Sequence, residues 1–271
     1  MSATLLHPRL SLNGIVTPAW SFEQDLAFWR ECGLSCVGLL HPKVMAHGPD
    51  RVAAALKSEG LTVSTIICGV FTLEQPECWP AERARLDAMI DLAAEVGGTV
   101  YGPPGRGWFD QWDANCAAYA EAVAPCLAHA RERGVTLAFE PTLRPALSFV
   151  HTLRDGLDLC AVSGAAMVVD IGNCCTERDH RATIRAMPIN RMGLVQISDL
   201  DAGTPAAPGM GIRVLPGEGD LPLEDHIRAA HEAGYAGAYE IELLGEAEPD
   251  RAAIRRSLEL VSAMLDRVVG R

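Results

Sequence analysis

Apolar and polar residues follow two alternating patterns along this chain. Short apolar runs typical of buried strands are each followed by a longer segment in which apolar residues recur at helical spacing. The eight runs cover residues 10–17, 35–40, 61–68, 99–102, 135–140, 166–171, 192–198 and 238–243. Several helical segments end in a glycine just before the next run, as expected where a helix stops in a tight turn. These glycines are Gly33, Gly60, Gly97, Gly134 and Gly234.

Eight strand–helix units in 271 residues predict a closed (β/α)8 TIM barrel that spans residues 1–271 as a single domain. An open, doubly wound sheet is the alternative. Such sheets often carry a Gly-x-Gly-x-x-Gly turn after the first strand, whereas this chain has LNGIVTPAWS there. Residues 199–221 form the longest stretch predicted to be irregular, and so long a connection in a compact domain is usually functional.

Acidic or amide side chains lie at the ends of the last four predicted strands. They are Glu140, Asp170, Gln196 and Glu242. In a barrel these strand ends meet at one mouth, where active sites lie. A buried carboxylate must be hydrated, paired or bound to a cation. One such residue is readily explained as a helix cap or an arginine partner, but four on consecutive strands predict a shared site.

Three carboxylates and an amide oxygen make an all-oxygen ligand set. Such a set favours one divalent ion, Mg²⁺ or Mn²⁺, with Co²⁺ as an alternative. On the eighth strand Glu240 and Glu242 share a face, because they are two residues apart. Glu242 is nearer the mouth and is the preferred ligand. Glu240 is then either a deeper charge partner or a second group that reaches the same ion.

Composition limits the partners and the compartment. The chain has 35 acidic and 23 basic residues and a net charge of −12, which disfavours nucleic acids and anionic membrane surfaces as partners. No apolar run approaches the ~20 residues of a membrane span. The N-terminal segment MSATLLHPRLSLNG lacks the pattern of a secretion signal, and the nine cysteines form no Cys-x-x-Cys pair. We therefore expect a reduced, cytoplasmic protein.

Several strings in the chain resemble one family of barrels. GVTLAFEP, MVVDIGN, VQISD, RVLPGEGDLPLEDHI and GYAGAYEIE resemble the xylose-isomerase-like TIM-barrel family, which includes sugar phosphate isomerases and epimerases, hydroxypyruvate isomerase and two kinds of dehydratase. The resemblance is strong in the second half of the chain and limited to the strand–helix rhythm in the first. It implies one divalent metal, with Mn²⁺ favoured, on Glu140, Asp170, Gln196 and Glu242. It also implies that Arg213 contacts substrate oxygens.

The expected activity is isomerisation or epimerisation of a ketose or related hydroxy-carbonyl compound. It would pass through a metal-stabilised enediolate, with Glu140 and Glu242 as acid and base. If a hydroxyl group leaves instead, the same site makes the protein a dehydratase or another lyase, acting on a cyclic polyol-ketone or a larger glycoside. A non-catalytic or partner-dependent barrel is the third hypothesis, and it would be favoured if the four strand-end residues did not converge. The DNA-cutting members of the family are disfavoured, because the seventh strand lacks a His-x-His pattern and the net charge is acidic.

Four further residues are predicted to bind substrate. They are Asn173, His41, Lys43 and Trp108. Asn173 stands where many epimerases of the family have a histidine. His41 and Lys43 follow the second strand and either face the mouth or have ordinary surface roles.

Trp108 lies in the loop after the fourth strand with Phe109 and Trp112. These rings either pack the loop against its neighbours or form an apolar wall over the site. A wide mouth lined by tryptophan would favour a bulky substrate or a lyase, whereas a tight polar pocket with Arg213 would favour a small sugar. The expected partner is therefore a small carbohydrate-like molecule, and the resemblance also implies a homo-oligomer.

Overall fold

A closed barrel of eight parallel strands forms the centre of the molecule. The computed structural model describes residues 5–203, 212–244 and 250–271. The barrel strands are β1 (Leu10–Asn13), β2 (Cys36–Leu40), β3 (Thr62–Ile67), β4 (Thr99–Gly102), β5 (Leu137–Phe139), β6 (Ala166–Asp170), β7 (Met192–Ile197) and β10 (Tyr239–Ile241). They pair in chain order, and β10 closes the barrel by pairing with both β7 and β1. This arrangement confirms the predicted (β/α)8 fold.

Helices surround the barrel and connect its strands. They are α1 (Phe22–Cys32), α2 (His41–His47), α3 (Pro49–Glu59), α4 (Trp79–Val96), α5 (Trp112–Arg133), α6 (Leu153–Ser163), α7 (Ile171–Cys174), α8 (His180–Ala186), α9 (Leu223–Glu232) and α10 (Arg251–Val268). α1 begins with a capping box between Ser21 and Gln24 and ends at Gly33, whose φ of 71° is the left-handed conformation predicted for it. None of the helices in the described residues is long and apolar enough to cross a membrane.

Two apolar clusters fill the fold. The larger one lies between the strands and the helices and includes Leu10, Ile66, Met89 and Leu265. The smaller one consists of Ile67, Tyr101, Ala138, Ala166, Val168 and Leu194, which come from neighbouring strands. On three of these strands a polar residue lies two positions further on, because Glu140 follows Ala138, Asp170 follows Val168 and Gln196 follows Leu194. The alternation along each strand therefore carries those polar groups towards the carboxyl end of the barrel.

Two elements differ from the prediction. The first strand was expected over residues 10–17 but ends at Asn13, where the Asn13 side chain accepts a hydrogen bond from Ile15 and starts a 3₁₀ turn over Gly14–Val16. Residues 199–221 were expected to be irregular. They contain a two-stranded antiparallel sheet of β8 (Asp199–Asp201) and β9 (Ile212–Val214), in which Leu200 pairs with Arg213. Strands of three residues are too short for periodicity to reveal them. Residues 204–211 lie outside the described residues.

Two histidines connect α8 to α9. The Nε2 atoms of His180 and His226 are 2.7 Å apart, and their rings stack with centroids 4.8 Å apart. The Nδ1 atom of His226 donates a hydrogen bond to the carbonyl oxygen of Pro222 at 2.9 Å. An ion pair between Arg181 and Asp225 joins the same two helices. His226 thus lies buried between polar groups that use both of its ring nitrogens.

This buried histidine should make stability pH-dependent. Burial lowers the pKa of His226 to about 4, whereas the unfolded chain binds a proton near the ordinary pKa of about 6.5. The unfolded state therefore gains a proton first on acidification, and stability is lost as the pH falls from about 6.5 towards 4. Between pH 7 and pH 5 this histidine should therefore contribute a loss of about 2 kcal/mol, read as the change in the stability difference between the wild type and a variant without the imidazole. Urea unfolding at the two pH values measures it.

The matched variants for this measurement are His226→Leu and His231→Gln. His231 is an exposed residue of the same helix, so its substitution should leave the pH dependence in place. His226→Leu should lose about 2 kcal/mol less than the wild type between the two pH values, because the other titrating groups act alike in both proteins. A pH dependence that is unchanged in His226→Leu would contradict the assignment.

Candidate active site

Three carboxylates from three different strands come together at the mouth of the barrel. Asp170 ends β6, while Glu140 and Glu242 come directly after β5 and β10. All three are buried, with exposed fractions of 9% for Glu140, 2% for Asp170 and 5% for Glu242. Two donor side chains, Asn173 and Arg213, connect them. Five of the predicted site residues therefore form one hydrogen-bonded group.

Asn173 is positioned by the short helix that follows β6. The Asp170 carboxylate accepts a hydrogen bond from the backbone of Gly172 at 2.8 Å, which starts α7 directly at the strand end. One turn into α7, the amide nitrogen of Asn173 donates to Glu140 Oε1 at 2.7 Å and to Asp170 Oδ2 at 2.8 Å. Asn173 thus holds these two carboxylates in a fixed relation.

Arg213 reaches the same carboxylates from the β8–β9 hairpin. Its Nη2 atom donates to Asp170 Oδ2 at 2.7 Å, to Glu242 Oε2 at 2.9 Å and to Ser198 Oγ at 2.8 Å. Its Nε atom is buried without a hydrogen-bond partner. Charge-assisted contacts of this kind fix the guanidinium in place.

The loop that carries Arg213 is anchored by Asp199. The Asp199 carboxylate accepts hydrogen bonds from the backbone of Gly217, Gly219 and Leu221, at 2.9 to 3.2 Å. A Cβ atom on Gly219 would lie 2.6 Å from Asp199 Oδ1, so a glycine is needed at this close approach. This is the local reason for the PGEGD string, which spans residues 216–220.

Burial raises the pKa of two of these three carboxyl groups. Burial, together with the negative charges of Asp170 and Glu242, raises the pKa of Glu140 well above its ordinary value. Burial also raises the pKa of Glu242, against the opposing effect of Arg213. Such shifts are typical of groups that exchange protons near neutral pH or share a cation.

Gln196 does not hydrogen-bond to these carboxylates. Its amide nitrogen donates to the hydroxyl of Tyr101 at 2.6 Å and to Glu240 Oε1 at 3.0 Å, and its Oε1 atom is buried without a hydrogen-bond partner. Glu240 lies deeper in the barrel and also accepts hydrogen bonds from Asn13 and Ser64. Burial raises the pKa of Glu240 to about 7. Two interpretations of Glu240 were left open by the sequence. Its contacts are those of a deeper partner.

A cavity of about 220 Å³ opens beside the carboxylates. Glu140, Glu242, Arg213 and the hydroxyl-bearing Tyr101 line it, and so does Arg144. The opposite part of the lining is apolar and consists of Ile15, Ile67, Val70, Pro103, Leu147 and Leu244. The cavity has the size and mixed polarity of a site for a compact small molecule.

Three residues that were predicted to bind substrate lie outside the carboxylate group. They are His41, Lys43 and Trp108. Lys43 is buried, and its ammonium group donates to Asp25 at 2.5 Å and to the carbonyl oxygens of Gly14 and Thr17. His41 is the first residue of α2 and is half-buried, and burial lowers its pKa. Neither residue lines the 220 Å³ cavity.

Trp108 borders a different cavity, of about 500 Å³, together with Phe109 and Trp112. Its backbone is held on both sides by the Asn115 side chain. Trp112 packs edge-on against Phe149 at 5.5 Å. The contacts of Trp112 are those of a ring that packs the loop against its neighbours. The Phe109 side chain, in contrast, is 81% exposed.

Residues that the sequence analysis did not single out also belong to the mouth. They are Tyr101, Ser198 and Arg144, while Asn13 and Ser64 belong to the deeper polar group around Glu240. Strand alternation offered a signal for two of them, because Ser198 follows Gln196 by two residues and Tyr101 follows Thr99 by two. Arg144 lies in a loop, where no periodic signal exists.

The donor set at the mouth fits a divalent metal in its chemistry but not in its present hydrogen bonding. In the described part of the chain, no group of three or more His, Cys, Asp and Glu side chains is arranged to hold a metal ion; Arg213 and Asn173 bond the carboxylate oxygens instead. Two observations nevertheless fit a cation here. The negative charge exceeds that of the one guanidinium, and the buried Gln196 Oε1 atom is an acceptor without a donor. Carboxylate and amide oxygens are also the ligands that hard divalent ions prefer.

The fold and the mouth define a barrel protein with an acidic, arginine-bridged site at the carboxyl end of its strands. The chain belongs to the xylose isomerase-like TIM barrel family, whose profile matches residues 26–264. No curated protein gives a significant match. The resemblance drawn from the strand-end strings is thereby confirmed.

Solved structures of the same fold cover nearly the whole chain. A xylose isomerase domain protein from Alicyclobacillus acidocaldarius is 22% identical, with a TM-score of 0.81 over 97% of this chain and 99% of that chain. The IolI protein with a bound zinc atom is 15% identical, with a TM-score of 0.80 over 96% and 98%. L-ribulose 3-epimerase is 20% identical, with a TM-score of 0.74 over 97% and 96%. At these identities the likeness shows the fold.

Proposed function

We propose that this protein is a divalent-metal-dependent isomerase or epimerase of a ketose or related hydroxy-carbonyl compound. The observation that carries the proposal is the convergence of Glu140, Asp170 and Glu242 beside a small cavity, with more negative charge than Arg213 offsets. A solvated rim of unrelated salt bridges would not bury three carboxylates on one guanidinium and one amide.

Glu140 and Glu242 are the residues that we propose to move protons. Both line the cavity, and both have a raised pKa, which suits groups that accept and return a proton near neutral pH. They come from strands on different sides of the mouth. One can therefore remove a proton from a carbon next to a carbonyl group while the other returns it to the opposite face or to a neighbouring atom.

In this proposal Arg213 binds the substrate and Asn173 orients two of the carboxylates. The Arg213 guanidinium lines the cavity and can donate to substrate oxygens, while Asn173 keeps Glu140 and Asp170 in place. Glu140, Asp170, Gln196 and Glu242 are the residues that would hold the metal, with Mn²⁺ as the favoured ion and Mg²⁺ or Co²⁺ as alternatives. When bound, a divalent ion supplies Lewis-acid stabilisation of the negative charge that develops on substrate oxygens. The IolI structure, with its zinc atom, supports metal use on this fold.

The cavity supports a small substrate. Its lining contains Arg213 and no tryptophan, and its volume of about 220 Å³ is small for a glycoside. L-ribulose 3-epimerase and a 3-keto-D-glucoside 4-epimerase from E. coli have this fold, which supports epimerisation as the reaction. Dehydration remains the alternative outcome of the test, since the fold is also that of the probable 3-DHS dehydratase AsbF from Bacillus anthracis.

Incubation with ketoses and hydroxy-keto acids in D₂O, with and without added Mn²⁺, tests the proposal. We expect Mn²⁺-dependent incorporation of deuterium from solvent into substrate or product, without loss of water, as followed by NMR and mass spectrometry. A conjugated product that absorbs in the ultraviolet would instead identify a dehydratase. Turnover that neither falls when the metal is removed by a chelator nor rises when metal is added back would contradict the metal-dependent proposal.

A further inference from the structure

A second polar layer lies below the carboxylates, inside the barrel. At its centre is Glu240, which is fully buried. Its Oε1 atom accepts hydrogen bonds from Asn13 at 3.1 Å and from Gln196 at 3.0 Å, and its Oε2 atom accepts one from Ser64 at 2.6 Å. A Cβ atom on Gly38 would lie 2.2 Å from Oε2, so residue 38 must be glycine to leave room for this carboxylate. Residues of four other strands thus accommodate one buried acidic side chain.

This layer determines whether the nitrogen or the oxygen of the Gln196 amide faces Glu240. The Oε1 atom of Glu240 accepts a hydrogen bond from Gln196, so the amide nitrogen of Gln196, and not its oxygen, faces Glu240. The Tyr101 hydroxyl accepts the second hydrogen bond of the same nitrogen. The amide oxygen therefore lies on the other side of the group, where it is buried without a partner.

The free oxygen belongs to a residue at the level of the carboxylate group. Gln196 is paired in register with Asp170 on one side and with Glu240 on the other. Its side chain is fully buried, so it is not in contact with bulk solvent. A buried carbonyl oxygen without a donor is costly unless a cation or a donor satisfies it.

We propose that Glu240 is a positioning residue, which holds Gln196 with its amide nitrogen inward and its oxygen free for the divalent cation at the mouth. The inference rests on the proposed function, because that function supplies the cation. Without the carboxylate, the Gln196 amide can turn over and direct its NH₂ group at the mouth. A cation is repelled by that group, so its affinity falls. Loss of an outer residue that orients a ligand typically weakens metal binding by about 10–100-fold.

The test is a double-variant cycle with Mn²⁺ as the probe and its dissociation constant as the readout. Apoprotein is titrated with MnCl₂, and free Mn²⁺ is followed by EPR. The four proteins are the wild type, Glu240→Met, Gln196→Ala and the double variant. We expect Glu240→Met to weaken Mn²⁺ binding at least tenfold in the wild-type background and less than about twofold in the Gln196→Ala background. A general structural role of Glu240 would give the same loss in both backgrounds.

Glu240→Gln is the conservative control. Its side-chain oxygen can still accept from Gln196, so we expect it to restore affinity to within about threefold of the wild type. If Glu240→Met does not fold, Glu240→Ser removes the same acceptor and leaves a polar group in the layer, and the cycle is repeated with it. Wild-type affinity in Glu240→Met, or equal losses in both backgrounds, would overturn the inference alone. A wild-type protein that does not bind Mn²⁺ would overturn both the inference and the proposed function.

Discussion

Replacing Glu140 with glutamine is expected to lower kcat about 10²–10⁴-fold on the substrate that exchanges its proton. Glutamine keeps the shape of the side chain and an oxygen that accepts the hydrogen bond of Asn173, which is 2.7 Å from Glu140 in the wild type. It cannot take up a proton at neutral pH. The rate of deuterium exchange therefore falls much more than the affinity for the metal, and both are measured on the same preparation.

The matched control is Glu82→Gln. Glu82 is also 9% exposed, but its carboxylate bonds to the backbone and hydroxyl of Thr72, away from the mouth. We expect this variant to keep kcat within a few-fold of the wild type, because only a group at the reacting atoms moves the proton. Glu140→Gln with near wild-type, metal-dependent turnover would remove Glu140 from its role as acid or base.

The barrel and the carboxylate group could be predicted because each depends on local, periodic signals. Asp170 ends an apolar run, and in a (β/α)8 barrel the carboxyl ends of all strands lie at the same mouth. Glu140 and Glu242 follow from the same rule. Their convergence needed no knowledge of any loop.

Loop and amide geometry could not be predicted in this way. Whether Gln196 presents nitrogen or oxygen to the mouth depends on Glu240, and on Asn13 and Ser64, which are far away in sequence. Arg213 depends on a hairpin of three-residue strands and on the Asp199 carboxylate that binds the following loop. These positions are set by long-range partners, which a pattern of apolar residues does not encode.

The position of Lys43 also depends on partners that are distant in sequence. Its substitution is the second change for which we expect a large effect. It was predicted to bind substrate, but its ammonium group lies in a buried pair with Asp25, with side-chain exposures of 8% and 2%. Lys43→Met removes the ammonium group that bonds to the Asp25 carboxylate, and Thr17 remains as a neutral donor at 2.6 Å. We expect a loss of about 3–5 kcal/mol in the free energy of unfolding, measured by urea denaturation. A role in substrate binding would instead raise KM and leave stability unchanged.

The double variant Asp25→Asn/Lys43→Met separates the pair from the packing of either side chain. Removing both charges leaves no uncompensated ion in the core, so the double variant should be more stable than Lys43→Met although it carries one substitution more. Because the 220 Å³ cavity does not include Lys43, KM of the folded double variant should stay close to the wild-type value. A double variant no more stable than Lys43→Met would mean that the aliphatic stem of Lys43, and not its charge, stabilises the turn after β1.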